Sequence, residues 1–390
     1  MSARLTLLLF ALCGLAATVS SRSIDPLIPL LASEFTVPTT SAALVTSLYA
    51  LPFALGQPVL GPMGDSFGKT RMLRCYLWVL AACLLGAALA PDFHSLLVMR
   101  FCSGLAAGGV IPACMASLGD RFEGPERTLA ISRFVTVGLI AQILSASLSG
   151  LLASVLGWRS VFLAAAVVAL ISALLATFVL TSPTGRGPRF SFAGAVSNYR
   201  SVFANAKAPL CFGTVFLEGI ALFGITPYVA EMLRARELGD IRQAGIIIGC
   251  MGVGGIIYSL LLPMLLRRAS KFTLLGTGGL IATAGPLTLA FASSWLVIAF
   301  GFAVAGFGYM LMHNSIQSEA VELAPKSRVS AYSMHAFSFF IGQSLGPILA
   351  GWALHGLGPT AMLLGSAGIL AATGLVMARR FVRLAQLAGR

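Results

Sequence analysis

Charge is scarce in this chain: only 10% of its 390 residues are charged, 13 of them acidic and 26 basic. A soluble globular domain carries roughly a quarter of its residues as Asp, Glu, Lys and Arg, so a water-facing surface of ordinary size is excluded. Paired metal or redox cysteines are also lacking. The seven cysteines (Cys13, Cys75, Cys83, Cys102, Cys114, Cys211 and Cys250) lie within or at the edge of apolar segments without a CxxC pair, so neither a disulfide framework nor a metal site is indicated. There is no Walker pattern, no zinc spacing, and no Ser, His and Asp set placed for a membrane enzyme; catalysis and a cofactor are not expected. Gly249-Cys-Met-Gly252-Val-Gly254-Gly255 is glycine-rich, but no strand precedes it and its surroundings are apolar. It reads as close helix packing rather than as a nucleotide loop.

What fills the chain instead is apolar sequence, 57% of the residues. Segments of about 20 apolar residues recur between short polar breaks, long enough to cross a bilayer as helices, and no alternating strand pattern suggests a barrel. The pattern predicts an all-α polytopic membrane protein with twelve spans, at about 5–33, 41–64, 70–90, 95–118, 128–156, 159–181, 209–233, 243–266, 271–292, 295–317, 329–355 and 359–378. The first 23 residues have the outline of a secretory signal, with Arg4, an apolar core and small residues near Ala17. Apolar sequence resumes directly at Ile24, however, so one long helix is expected.

The basic residues set the expected orientation. Arg22 and Arg100 fall inside spans; Arg159, Arg234, Arg236 and Arg242 fall on the side opposite the termini; the remaining lysines and arginines gather on the termini side. That bias places both termini in the cytoplasm. The net charge of +13 is thereby assigned to topology, and nucleic acid is not an expected partner, because the basic residues punctuate apolar runs.

The longest polar interval, rich in Pro, Gly, Ser and Arg, predicts a division into a six-helix bundle at 1–182, a cytoplasmic linker at 183–207 and a second six-helix bundle at 208–390. An internal duplication supports the division. Shifting the chain by 201 positions brings Pro26 onto Pro227, Pro62-Met63 onto Pro263-Met264, Arg127 onto Arg328, Gln142 onto Gln343, Gly150 onto Gly351 and Gly157 onto Gly358, without gaps.

Ionisable residues inside a bilayer cost at least a few kcal/mol each, which makes Arg22, Asp25, Arg100 and Glu218 the default functional candidates. Arg22 and Asp25 share one helical face, and Pro26 and Pro29 deny hydrogen bonds to the carbonyls of residues 22 and 25, opening the first helix locally. Two readings stand for this group: a site within reach of solute and protons, or a static ion pair. For Glu218 the alternatives are a proton or solute role and a carboxylate satisfied by a hydroxyl such as Thr214. His313, Asn314 and Gln317 form a polar run toward the cytoplasmic end of the tenth helix, and His335 sits in the eleventh. Phe223, Tyr228, Phe307 and Tyr309 line an apolar pocket or simply pack.

Between the second and third helices lies Gly61-Pro-Met-Gly-Asp65-Ser-Phe-Gly68-Lys69-Thr-Arg71, a polar turn between two apolar runs. It resembles the GxxxDRxGR signature of the major facilitator superfamily, with Gly61, Asp65, Gly68 and Lys69 matching. Arg100-Phe-Cys-Ser-Gly104 resembles the family's RxxxG motif, and Gly157-Trp158-Arg159 resembles an element common in its drug:proton antiporters. Where those antiporters carry Gly-Pro in the fifth helix, this chain has Ser145-Ala146, and Gly346-Pro347 stands in the eleventh.

The resemblance implies the two-bundle facilitator fold in a cell membrane, a bacterial inner membrane, with helices 1, 4, 7 and 10 around a central cavity. It implies a monomer in a lipid bilayer that moves a small organic solute by alternating access, with protons as the coupling ion and efflux of a drug or metabolite as the direction. Import or uniport of a small organic anion, suggested by the arginines, stays open, as does a receptor or scaffold without transport. The resemblance also implies a conformational latch of Gly61, Asp65, Gly68, Lys69 and Arg71, with Asp65 close to Arg328 at the start of the eleventh helix. Asp25 is expected to take the proton, with Arg22 and Arg100 tuning it.

Overall fold

The computed structural model describes residues 3–180, 192–325 and 327–388. Among them twelve helices are long and apolar enough to cross a membrane, and no strand occurs. They are α1 (Leu5–Glu34), α2 (Thr39–Val59), α3 (Lys69–Ala88), α4 (Phe93–Arg121), α5 (Leu129–Leu156), α6 (Trp158–Val179), α7 (Ala208–Ala235), α8 (Ile241–Arg268), α9 (Lys271–Phe291), α10 (Trp295–Glu322), α11 (Arg328–Leu357) and α12 (Pro359–Phe381). Successive spans alternate in direction, so both termini lie on one side, here called the termini side; the opposite face is the far side.

Local chemistry sets the ends of these helices. Asp92 caps α4 by accepting the Ser95 backbone N–H at 2.9 Å, a bond that also holds its carboxyl below the usual carboxylate range. Asp240 and Gln243 close a reciprocal capping box on α8. Gly157 and Gly358, the two glycines 201 apart, take φ of 78° and 88° in the tight turns before α6 and α12, a backbone region that side chains disfavour.

The first and seventh spans break in the same place. α1 is helical over Ala3–Arg22, passes through a 3-10 turn at Asp25–Leu27 and resumes at Ile28–Glu34; α7 does so over Ala208–Gly224, Thr226–Tyr228 and Val229–Ala235. Pro26 and Pro227 stand inside the two turns, where a missing N–H forbids an unbroken ladder.

Packing follows the duplication. In the first six spans α1 lies on α5, α2 and α3 on α4, and α3 on α6; in the last six α7 lies on α11, α8 and α9 on α10, and α9 on α12. The two sets meet where α2 packs on α11 and α5 on α8, and where the two 3-10 turns touch. The contacts across these seams run from the far-side part of the spans to about their middle. Ser344 donates to the Ser47 carbonyl at 3.0 Å, and the Phe53 and Phe340 rings approach to 4.1 Å. Ser147 donates to the Gly245 carbonyl at 3.4 Å, and a Cβ on Gly245 would fall 2.5 Å from the Ala146 carbonyl oxygen, so only glycine lets α8 approach α5 this closely.

The polar interval contains a helix, Phe192–Phe203, where composition suggested only a loop. Tyr199 and Val202 fall three apart on one face, half-buried and buried respectively, which gives a short helix something to pack. Tyr199 donates to the Pro58 carbonyl of α2 at 2.8 Å, while Asn198 accepts from Ser327 at 3.0 Å. Beyond it Asn205 donates to the Leu323 carbonyl, and Lys207 and Lys271 share the buried carboxylate of Glu319.

Candidate functional site

The α1 break carries Asp25 into the interior, 2% exposed. Its Oδ1 accepts from Thr46 of α2 at 3.0 Å and its Oδ2 from Thr226 of α7 at 2.8 Å. Thr226 is the residue 201 positions on, so the two 3-10 turns touch through duplicated positions. The same holds one turn earlier, where the Arg22 guanidinium rests 4.2 Å from the centre of the Phe223 ring, its own counterpart. Arg22 and Asp25 share a helix face, but no ion pair joins them among the described residues; Asp25 takes hydroxyls and Arg22 an aromatic face.

Arg100 of α4 is fully buried and acts locally as a clamp. Its Nη1 donates to the Ser20 carbonyl of α1 at 2.8 Å, its Nε to the Val45 carbonyl of α2 at 3.2 Å, and its plane lies 4.2 Å from the Tyr49 ring centre. The rigid guanidinium fork suits this role, because its planar donors are held at a fixed spacing and tie α4 to carbonyls of α1 and α2 with little loss of side-chain freedom per bond.

A second polar centre lies in the last six spans. Glu218 of α7 is 0% exposed, and its Oε2 lies 3.1 Å from His313 Nδ1 of α10, whose side chain is 13% exposed. With Glu218 ionised, Nδ1 carries the hydrogen and Nε2 of a neutral His313 is left as an acceptor. Thr214 is not the partner of Glu218: its hydroxyl donates to the Leu210 carbonyl at 2.6 Å, the ordinary bond of a helical threonine to the preceding turn. His335 of α11 packs against His313 with ring centres 5.0 Å apart and is 1% exposed. Glu218 Oε1 and both ring nitrogens of His335 are buried without a partner among the described residues. Asn314 stays outside the cluster, its amide turned back to the Met310 carbonyl at 3.0 Å.

Sequence reasoning named Glu218 and His313 separately and did not pair them, because α7 and α10 are 95 residues apart and nothing local links them. It also missed Thr46 and Thr226 as the partners of Asp25. For Thr226 a signal existed: the 201-residue offset sets it opposite Asp25, as it sets Phe223 opposite Arg22.

The turn after α2 is partly outside this description. Gly61 and Asp65 fall among residues 60–67, whose side chains lie outside the described residues, so their part in a latch stays an expectation. Gly68 has φ of 91° and starts α3. Lys69 pairs with Asp120 of α4 at 2.8 Å, and Arg328 with Glu322 at 3.3 Å, each within its own set of six spans, while Arg71 is exposed.

Comparison with known proteins gives concordant results. A family model described as Major Facilitator Superfamily matches residues 10–333 and 211–388. The chain is 27% identical over 337 residues to the uncharacterized MFS-type transporter YceJ of Bacillus subtilis (strain 168), covering 84% of each. It is 24% identical to the inner membrane transport protein YnfM of Escherichia coli (strain K12), over 91% of this chain and 85% of that one. It is 25% identical to a multi-drug resistance efflux pump PmrA homolog of Lactococcus lactis subsp. lactis (strain IL1403), over 79% and 77%. A crystal structure of a variant of the nucleoside transporter NupG superposes with a TM-score of 0.80 at 16% identity, over 97% of this chain and 99% of that one, a likeness of fold.

Proposed function

The chain belongs to the major facilitator superfamily, and from that premise we propose that it is a monomeric secondary transporter that exports a small organic solute in exchange for protons. In this reading residues 1–182 and 208–390 rock against each other, with 183–207 as the linker, and no catalytic step is involved. Both termini face the cytoplasm of a bacterial inner membrane, as the distribution of lysine and arginine argues. The far side is then the outside, and the seams between α2 and α11 and between α5 and α8 describe a form closed to the outside and ready to exchange solute with the cytoplasm.

The observation that carries the coupling is the position of Asp25. Its carboxylate takes one hydroxyl from α2 and one from α7, so it is bonded to both moving bodies at once. A proton on that carboxyl removes an acceptor site and weakens one of these bonds, and separation of the bodies frees the carboxylate to take a proton. Proton occupancy and the relation of the two bodies are thereby linked. The efflux direction draws on the likeness to a protein named as a multi-drug efflux pump homolog. Arg22, whose guanidinium rests on the Phe223 ring and forms no ion pair among the described residues, favours the second reading, import or uniport of an organic anion.

The test is flux in proteoliposomes. Wild-type protein should accumulate or expel solute when only a pH gradient is imposed; Asp25→Asn should keep exchange of solute across the membrane and lose the pH-driven component. Gradient-driven accumulation by Asp25→Asn would remove the proton role from this residue. The orientation is checked by labelling from outside on a cysteine-free background, which should reach Asp92→Cys and miss Ser197→Cys.

A further inference from the structure

Phe223, Tyr309 and Phe339 make a continuous aromatic wall, with ring centres 5.6 Å apart for Phe223 and Tyr309, 5.6 Å for Phe223 and Phe339, and 6.3 Å for Tyr309 and Phe339. Arg22 stands at one edge, over Phe223. His313 stands at the other, 5.1 Å from Tyr309 and 4.8 Å from Phe339, with Glu218 behind it. Arg22 and His313 are half-buried, whereas the three rings between them are buried. These two side chains are the accessible ends of an apolar surface.

Each end has unused binding capacity, and the two observations are independent. Arg22 is a guanidinium with no carboxylate partner among the described residues, although such a group in an apolar interior normally has one. At the other end Glu218 Oε1 and both nitrogens of His335 are buried and unpartnered, an arrangement that folded proteins retain at few places. Arg100 does not compete for the first role: it is fully buried, with Nε and Nη1 on backbone carbonyls and Nη2 alone without a partner among the described residues.

We propose that this wall is the solute subsite and that its ligand is amphoteric: an anionic group on Arg22, a planar apolar body against the rings, and an ammonium or amide N–H group at the His313 and Glu218 pair. The proposal rests on the transporter reading above. Glu218 and Phe223 lie five residues, about 7.5 Å of helix rise, apart on the unbroken segment Ala208–Gly224, and the Tyr309 and His313 rings bridge the lateral distance between the two ends. An ammonium brings three donors to a place that offers the second oxygen of Glu218 and Nε2 of His313, and the neighbouring ring faces attract a cation as well. An anion without the amine leaves that end unpartnered. A cation without the carboxylate satisfies Glu218 but gains nothing from Arg22 and is repelled by it.

Three probes that differ only in their ends test this: 4-(aminomethyl)benzoate, 4-methylbenzoate and 4-methylbenzylamine, titrated by calorimetry into the purified full-length protein. The zwitterion should bind about tenfold or more tightly than either single-ended probe, the ratio expected from one additional charge-assisted contact. Arg22→Gln should erase its advantage over 4-methylbenzylamine, and Glu218→Gln its advantage over 4-methylbenzoate. Should Glu218→Gln fail to fold, His313→Asn should show the same loss. The proposal is overturned if none of the probes binds, if the zwitterion binds no better than 4-methylbenzoate, or if its advantage survives these substitutions. Flux of the same probes in proteoliposomes separates the two claims. The expected order of binding without flux overturns transport and leaves the subsite, whereas flux of the anion without preference for the zwitterion leaves transport and overturns the amphoteric ligand.

Discussion

Asp25 of α1 has its carboxylate fully engaged by the protein itself, whereas Glu218 of α7 and His335 of α11 do not have their polar atoms engaged. Asp25 places both oxygens on hydroxyls and Arg100 places Nε and Nη1 on backbone carbonyls with Nη2 left over, while Glu218 keeps one oxygen and His335 both nitrogens without a partner among the described residues. The two regions descend from one duplicated pattern, yet the positions that correspond to Glu218, His313 and His335 are Ala17, Pro112 and Phe134, and the one that corresponds to Arg100 is Gly301. The scaffold repeats and its chemistry does not. A polar group whose bonds are complete supports the fold, and one whose bonds are incomplete is a standing cost that stability alone does not explain.

That contrast can be broken most severely at Arg100. Arg100→Leu strips the clamp from Ser20 and Val45 and leaves a poorly filled space beside Tyr49, so thermal unfolding of the purified protein should show a loss of about 2–4 kcal/mol. An unchanged midpoint would mean that α1, α2 and α4 are held by packing alone. Next in size is the seam between α5 and α8. Gly245→Val should disfavour the far-side-closed form by about 1–3 kcal/mol through overpacking against Ala146. Distances between spin labels on α5 and α8 near their far-side ends should lengthen, and no shift would show that the seam has slack.

His335→Phe sharpens the comparison from the other direction, because it gives the last six spans the residue that stands at Phe134 in the first six. Two unpartnered nitrogens are exchanged for an apolar ring of similar shape, so the variant should gain about 1 kcal/mol in thermal stability. A loss would reveal an undetected partner for His335. The smallest effect belongs to the linker: Tyr199→Phe gives up one bond to Pro58 on a half-buried helix and should cost about 1 kcal/mol or less. It should show as faster proteolysis around residue 199, and an unchanged cleavage rate would argue that the helix is held by Val202.

The number and extent of the spans were legible in the sequence, because hydrocarbon admits few alternatives to a satisfied helix and each span ends where polarity returns. The opening of α1 was legible too, since proline removes a donor wherever it stands, whereas the break in α7 was not expected although the 201-residue offset sets Pro227 at Pro26. The helix at Phe192–Phe203 was not, because a polar composition conceals a short face made by Tyr199 and Val202. Among the site residues, burial of Asp25, Arg100 and Glu218 followed from their place inside apolar runs. Their partners did not. Thr46, Ser20 and His313 reach them only through tertiary packing, and whether Arg22 would meet Asp25 or Phe223 depended on rotamers that no local rule decides.

The contact of Asp25 with Thr226 is one that symmetry would forbid. Asp25 and Thr226 correspond under the 201-residue offset and also touch, which is the place where, in a symmetric pair of identical half-length chains, a residue would meet its own copy. A carboxylate there would have faced a carboxylate, and the two could not both ionise. A threonine facing a threonine carries no such penalty. A lone acid with a hydroxyl as its companion at this place is an arrangement that one chain with two unlike halves can hold and a symmetric dimer of identical chains cannot.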